Sequence, residues 1–137
     1  MKISSNSLCP CHSGEKYKKC CLPYHKGILP SNALRLMRSR YSAFALGLSD
    51  YIMATTHPNN PDYTDDKEHW KQSILNFSHN TRFLGLKILE FIDGEDEAFV
   101  TFEALLDGGI LKEKSRFLKV EWKWLYESGH FTSTDRR

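Results

Sequence analysis

The chain has 137 residues, 40% hydrophobic and 26% charged, which is room for one ordinary domain and a small appendage but not for two full domains. A formal net charge of +2 excludes the chain-wide basic signature of a nucleic-acid coat. All four cysteines lie between Cys9 and Cys21, which excludes a disulfide framework spread through the fold.

The first residues carry no apolar stretch of the secretory kind, and no segment approaches the roughly 20 apolar residues of a membrane span. The expectation is a soluble cytoplasmic protein with no membrane partner, in a compartment where clustered thiols serve as metal ligands rather than cross-links.

Residues 1–28 form the first unit, with five Lys against the single Glu15. Within it Cys9-Pro10-Cys11-His12-Ser13-Gly14-Glu15-Lys16-Tyr17-Lys18-Lys19-Cys20-Cys21 reads C-x-C-x₈-C-C. Four thiolates can close a tetrahedral Zn²⁺ site with sulfur at about 2.3 Å, the arrangement of a structural zinc. Ser13 is expected to cap a short helix over 14–21, from whose end Cys20 and Cys21 grip the metal from two sides. A bond between adjacent Cys20 and Cys21 would be strained. His12 and His25 are substitute ligands to consider, and iron–sulfur ligation is a lesser alternative. Four thiolates around one Zn²⁺ also remove two positive charges, leaving a small cationic knob on a slightly acidic remainder.

After Pro30, Ser31 or Asn32 can cap a helix whose Leu34, Met37, Tyr41, Phe44 and Leu48 recur at helical spacing, with Gly47 closing it. Ser49 starts a second short helix that must stop near His57-Pro58. Thr64 is read as the cap of a third, with Asp65, Asp66 and Glu68 at its positive end and Trp70, Ile74 and Phe77 on one side. From residue 80 the period becomes two. Leu84, Leu86 and Ile88 share a face, Asp93-Gly94 turns, and Ala98, Val100, Phe102, Ala104 and Leu106 share the face of the clearest strand. Two more strands are expected over 111–119 and 122–127, the last with Trp122, Trp124 and Tyr126 on one side. Helices first and consecutive antiparallel strands second make an α+β domain over 29–130, followed by a flexible tail at 131–137.

The cysteine run resembles the SEC-C motif, usually written CPCGSGKKYKKCC, also found at the C-terminus of the SecA translocase; His12 and Glu15 are its only departures here. Pro23-Tyr24-His25, Leu36-Met37-Arg38-Ser39-Arg40-Tyr41-Ser42-Ala43-Phe44, Thr56-His57-Pro58, Glu113-Lys114-Ser115-Arg116-Phe117 and Trp124-Leu125-Tyr126 resemble the bacterial YchJ family. Leu22, Thr55, Lys114 and Trp122 depart from that family's usual Gly, Trp, Arg and Gly. The resemblance implies zinc ligation by Cys9, Cys11, Cys20 and Cys21. It also implies a nuclear transport factor 2-like cone of about three helices on a curved antiparallel sheet.

Three functions follow. The favoured one is non-enzymatic. The resemblance implies that SEC-C modules bind proteins such as the SecB chaperone, and ribosomes, and Lys16, Tyr17, Lys18 and Lys19 would face an acidic partner. The second is a small-ligand binder or an isomerase- or dehydratase-like enzyme, with His57, Arg38, Arg40, Tyr41, Glu113 and Arg116 as candidate groups in the cone. Fold analogy alone does not establish that chemistry. The third, nucleic-acid binding, rests on one aromatic among three lysines with no recognition helix following, a weak basis.

Overall fold

The longest helix shows how the chain organises itself. Asn32 is extended (φ −150°) and its side-chain oxygen accepts from the Arg35 N–H at 2.8 Å, so Asn32 rather than Ser31 is the cap. Gly47, at φ 72°, ends the helix in the left-handed conformation that glycine adopts without a Cβ penalty. The computed structural model describes residues 3–133. In chain order it has a 3-10 turn (Tyr17–Lys19), helices α1 (Leu22–His25), α2 (Ala33–Leu46), α3 (Ser49–Ala54) and α4 (Lys67–His79), then strands β1 (Phe83–Ile92), β2 (Glu97–Leu106), β3 (Gly109–Val120) and β4 (Lys123–Ser133). The strands form one antiparallel meander in sequence order. The architecture is α+β, helices packed on a four-stranded sheet, with the cysteine module at its N-terminal end.

The α2 helix contacts α1, α3, α4, β2 and β4. It is therefore buried on more than the single stripe its sequence predicts. Met37 and Tyr41 of that stripe are buried, but Leu34, Phe44 and Leu48 are only half-buried. The residues between them, Leu36, Ser39, Arg40 and Ser42, are buried instead. A helix wrapped by a sheet on one side and other helices elsewhere has to bury polar side chains, and it satisfies them internally.

Three local expectations need correction. No helix covers 14–21: the 3-10 turn ends at Cys20 in a non-helical conformation (φ −129°, ψ −95°), and α1 begins only after Cys21, with Pro23 tolerated in its first turn. The cap of α4 is Asp66, which accepts from the His69 N–H at 3.1 Å, while Thr64 accepts from the Asp66 N–H one turn earlier. Trp122 does not share a face with Trp124 and Tyr126. It lies in the two-residue turn between Val120 and Lys123, where Glu121 (φ 50°) and Trp122 (φ 73°) both take the positive φ such a hairpin requires.

In β2 the alternation is as read, with Ala98, Val100, Phe102 and Ala104 buried. In β1 it breaks twice. Register shifts at Phe83/Gly85 and Ile88/Glu90 turn Phe83, Leu86, Ile88 and Phe91 toward the core and leave Leu84 outside. A third shift, at Arg116/Phe117, acts on β4: Trp124 and Tyr126 face inward before it and Phe131 after it. The β4 strand runs on to Ser133, into the expected tail, and residues 134–137 lie outside the described residues. No helix among the described residues is long and apolar enough to cross a membrane.

Candidate metal centre and cone cavity

The cysteine module is built from short backbone bonds. Leu8 bridges Lys16, the Cys9 N–H donates to Glu15 O at 2.8 Å, and the His12 N–H returns to Cys9 O at 3.1 Å. The Cys20 N–H donates to Tyr17 O at 3.0 Å, which turns the chain so that Cys20 and Cys21 meet the first pair. All four Sγ atoms lie within 4.8 Å of one another. Cys11 and Cys20 Sγ are 3.5 Å apart and Cys20 and Cys21 Sγ 3.9 Å. A tetrahedral ion with bonds of about 2.3 Å needs sulfurs roughly 3.8 Å apart, whereas a disulfide needs about 2.05 Å. The set matches the first geometry, and the cysteines are free thiols.

The electrostatics point the same way. Hydrogen bonds from Cys21 and Cys9 hold the Cys11 thiol far below the usual thiol range, while donating to Cys11 pushes Cys9 up to about 12 and Cys21 upward as well. A thiolate favoured at Cys11 beside the raised Cys9 and Cys21 thiols, with Cys20 Sγ in reach, is a donor set that fits a soft divalent metal. Two neighbours support the sulfurs. Arg38 donates from Nη1 to Cys11 O at 3.2 Å, with Cys11 Sγ at 3.7 Å, and Ser13 Oγ lies 3.2 Å from Cys20 Sγ.

Neither histidine joins the sulfur set. The His25 Nδ1 takes the Tyr17 hydroxyl at 2.6 Å and its Nε2 faces Ser39 O at 2.8 Å, so His25 ties the module to α2. The His12 Nε2 meets Phe83 O at 3.1 Å and its ring packs edge-on against Tyr41. Lys16, Lys18 and Lys19 are exposed, but Tyr17 is buried, which removes it from any contact surface.

The acid–base candidates separate into two groups. His57, Arg38 and Arg116 do not reach the cone. The His57 Nδ1 accepts from the Asn59 N–H at 3.0 Å in the loop after α3. Arg116 is paired with Glu97 at 2.6 Å and Glu127 at 3.3 Å, with 40% of its side chain exposed. Arg40, Tyr41 and Glu113 do line a cavity of about 690 Å³ between α2, α4 and the sheet. The Tyr41 hydroxyl is committed to Gly85 O at 2.8 Å. Arg40 donates from Nη1 to Ile52 O, Thr55 Oγ1 and Thr56 Oγ1, and its guanidinium lies 4.7 Å from the Tyr126 ring centre. Burial lowers its pKa to about 10. The Glu113 Oε2 accepts from Ser115 Oγ at 2.6 Å and Tyr126 OH at 2.7 Å, and burial raises its pKa despite both bonds.

Residues 6–23 match the SEC-C motif, and residues 32–129 match the model described as "YchJ, middle NTF2-like domain". A UPF0225 protein of Sodalis glossinidius is 38% identical over 132 residues, 90% of this chain and 82% of that protein.

The chain belongs to the YchJ family.

Two solved structures of SEC-C motif containing proteins superpose on nearly all of it. A solution structure from Rhodopseudomonas palustris has TM-score 0.77 and 31% identity and covers 93% of this chain and 98% of that one. A crystal structure from Psychrobacter arcticus has TM-score 0.76 and 28% identity, covering 96% and 86%. His12, a departure from the resembled SEC-C motif, and Trp122, a departure from the resembled YchJ pattern, both adopt positive φ (62° and 73°), a backbone conformation that glycine takes without a Cβ penalty and that His tolerates better than most residues.

Several residues of the cone site have no site role in the sequence reading, although Ser115, Thr56 and Tyr126 lie in the motifs that resemble the YchJ family. Ser115 had a signal, since it stands two places from Glu113 on one strand and so shares its face. Thr55, Thr56 and Tyr126 had none of that kind. Thr55 and Thr56 meet Arg40 where the end of α3 lies against α2, Tyr126 reaches Glu113 across the β3–β4 pair, and the His57 N–H to Tyr126 O and Tyr126 N–H to Thr55 O bonds join the two.

Proposed function

We propose that this YchJ-family chain is a zinc-stabilised interaction protein of the cytoplasm, whose SEC-C module presents a basic surface to an acidic protein partner. The convergence of four thiols within 4.8 Å carries the reading. Four sulfurs fill every position of a tetrahedral ion and leave none for substrate, which supports a structural role for Zn²⁺ rather than a catalytic one. The exposed Lys16, Lys18 and Lys19 lie beside Leu8, 69% exposed and bridged to Lys16, so an apolar contact adjoins the charges. The His25 link to Tyr17 and Ser39 holds this surface rigidly on α2, which limits the ordering cost of binding.

The test uses three forms of the full chain. Wild type retains a partner from a cell lysate and releases it as salt rises. The triple variant Lys16→Glu/Lys18→Glu/Lys19→Glu keeps its metal and loses the partner, and Cys11→Ser/Cys20→Ser loses both while the cone stays folded. A partner that both variants retain would overturn the reading.

A further inference from the structure

The cone holds a buried basic group and a buried acidic group that do not touch each other. Arg40 is 8% exposed and Glu113 7%, and neither forms an ion pair among the described residues. A guanidinium or carboxylate withdrawn from water without an opposite charge is costly to maintain. Every Arg40 hydrogen bond leaves from Nη1, so Nε and Nη2 have no acceptor among the described residues. Both bonds to Glu113 end on Oε2, so Oε1 has no donor. The only sealed polar side-chain atom without a partner among the described residues is Trp124 Nε1. The spare edges of Arg40 and Glu113 therefore meet open space, and the space they line is the 690 Å³ cavity. Tyr126 stands between them, its ring under Arg40 and its hydroxyl on Glu113.

The remainder of the cavity is apolar, with Trp70, Ile74, Phe77, Phe102, Leu106 and Leu111 among its walls. Its volume lies within the range of pockets that enclose small organic molecules, about 300–1,000 Å³. Exposed Asp62 and His69 also border it.

We propose that the cone is a binding site for a small, mainly apolar molecule with an uncharged carboxamide head, its carbonyl accepting from Arg40 and its N–H donating to Glu113. The two protein charges balance, so an uncharged head adds no net charge to a low-dielectric space. A carboxamide aligns its own dipole between them and makes two charge-assisted hydrogen bonds. A zwitterion would match the same pair but would have to give up the hydration of two full charges. A bare carboxylate would satisfy Arg40 and be repelled by Glu113.

Isothermal titration of the full zinc-loaded chain with three isosteres tests this: naphthalene carboxamide, methyl naphthyl ketone, which lacks the donor, and naphthoate, which carries a charge. The carboxamide binds at least tenfold more tightly than either of the others. In Glu113→Gln, whose side chain keeps an acceptor for Ser115 and Tyr126 but turns an N–H₂ toward the cavity, the advantage over the ketone disappears. In Leu111→Trp, which fills the cavity, all three lose affinity together. Equal affinities, or no binding by any of the three, would overturn the proposal. Tightest binding by naphthoate would overturn the role given to Glu113. The wild-type comparison decides by itself if the Glu113 variant does not fold.

Discussion

Gly129 offers the sharpest test of how the cone site is assembled. It pairs with Ser115 on the neighbouring strand, and a Cβ placed on it would overlap Glu113 Oε2 and Tyr126 OH. Gly129→Ala must therefore drive these two groups aside. Losing a hydrogen bond to a charged group costs about 1.5–3 kcal/mol, and forcing a methyl into a filled space costs about 1–3 kcal/mol. The substitution also reduces the freedom of the unfolded chain, which returns about 0.4–1 kcal/mol. The net expectation is a loss of about 1.5–5.5 kcal/mol. For 137 residues that lowers the melting midpoint by roughly 5–20 °C. Gly108 supplies the control, since a Cβ there meets nothing within 4 Å and its φ is not positive, so Gly108→Ala should keep or slightly raise stability. Both are measured by thermal and urea unfolding with saturating Zn²⁺. If Gly129→Ala melts with Gly108→Ala, the close packing of β4 against Glu113 is refuted.

Two further outcomes follow from the polar neighbours of each site. Arg38→Met keeps the aliphatic stem but removes the donor to Cys11, so metal affinity by chelator competition should fall about 10–100-fold with the fold intact; an unchanged affinity would show that Arg38 only packs. Burial raises the Glu113 pKa above its ordinary 4.5, so between that value and the raised one the folded chain binds more protons than the unfolded chain, and stability falls as pH rises. Relative to Glu113→Gln, which does not titrate, wild type should lose stability as pH climbs from about 4 toward neutrality. Metal release at low pH is common to both proteins and cancels in the comparison. A difference that grows in favour of wild type with rising pH would refute the burial of that carboxyl.

How far the sequence carries depends on how local each determinant is. The cysteine spacing, the Asn32 and Gly47 ends of α2 and the strict alternation of β2 are decided by neighbours within a few residues, and they are legible. The faces of β1 and the end of β4 are not, because the register shifts that set them arise from pairing with another strand rather than from their own residues. The Ser39, Arg40 and Ser42 face of α2 was hidden for a similar reason: polar residues read as exposed unless the elements that cover them are known. Arg40 and Glu113 were legible as candidates, but the Tyr126 that separates them and the Gly129 that leaves room for Glu113 and Tyr126 come from β4. His57, Arg38 and Arg116 show the converse. Each has a reactive side chain, yet a loop bond, a thiol cluster and a pair of surface carboxylates hold them away from the cone.

Everything proposed for the N-terminal module depends on the four thiols binding one zinc ion. X-ray absorption at the zinc edge, combined with elemental analysis of the purified chain, tests it directly. One Zn²⁺ per chain with four sulfur neighbours at about 2.3 Å is expected, lost in Cys20→Ser. A chain that carries no metal, or a zinc ion with nitrogen or oxygen in its coordination sphere, would contradict it.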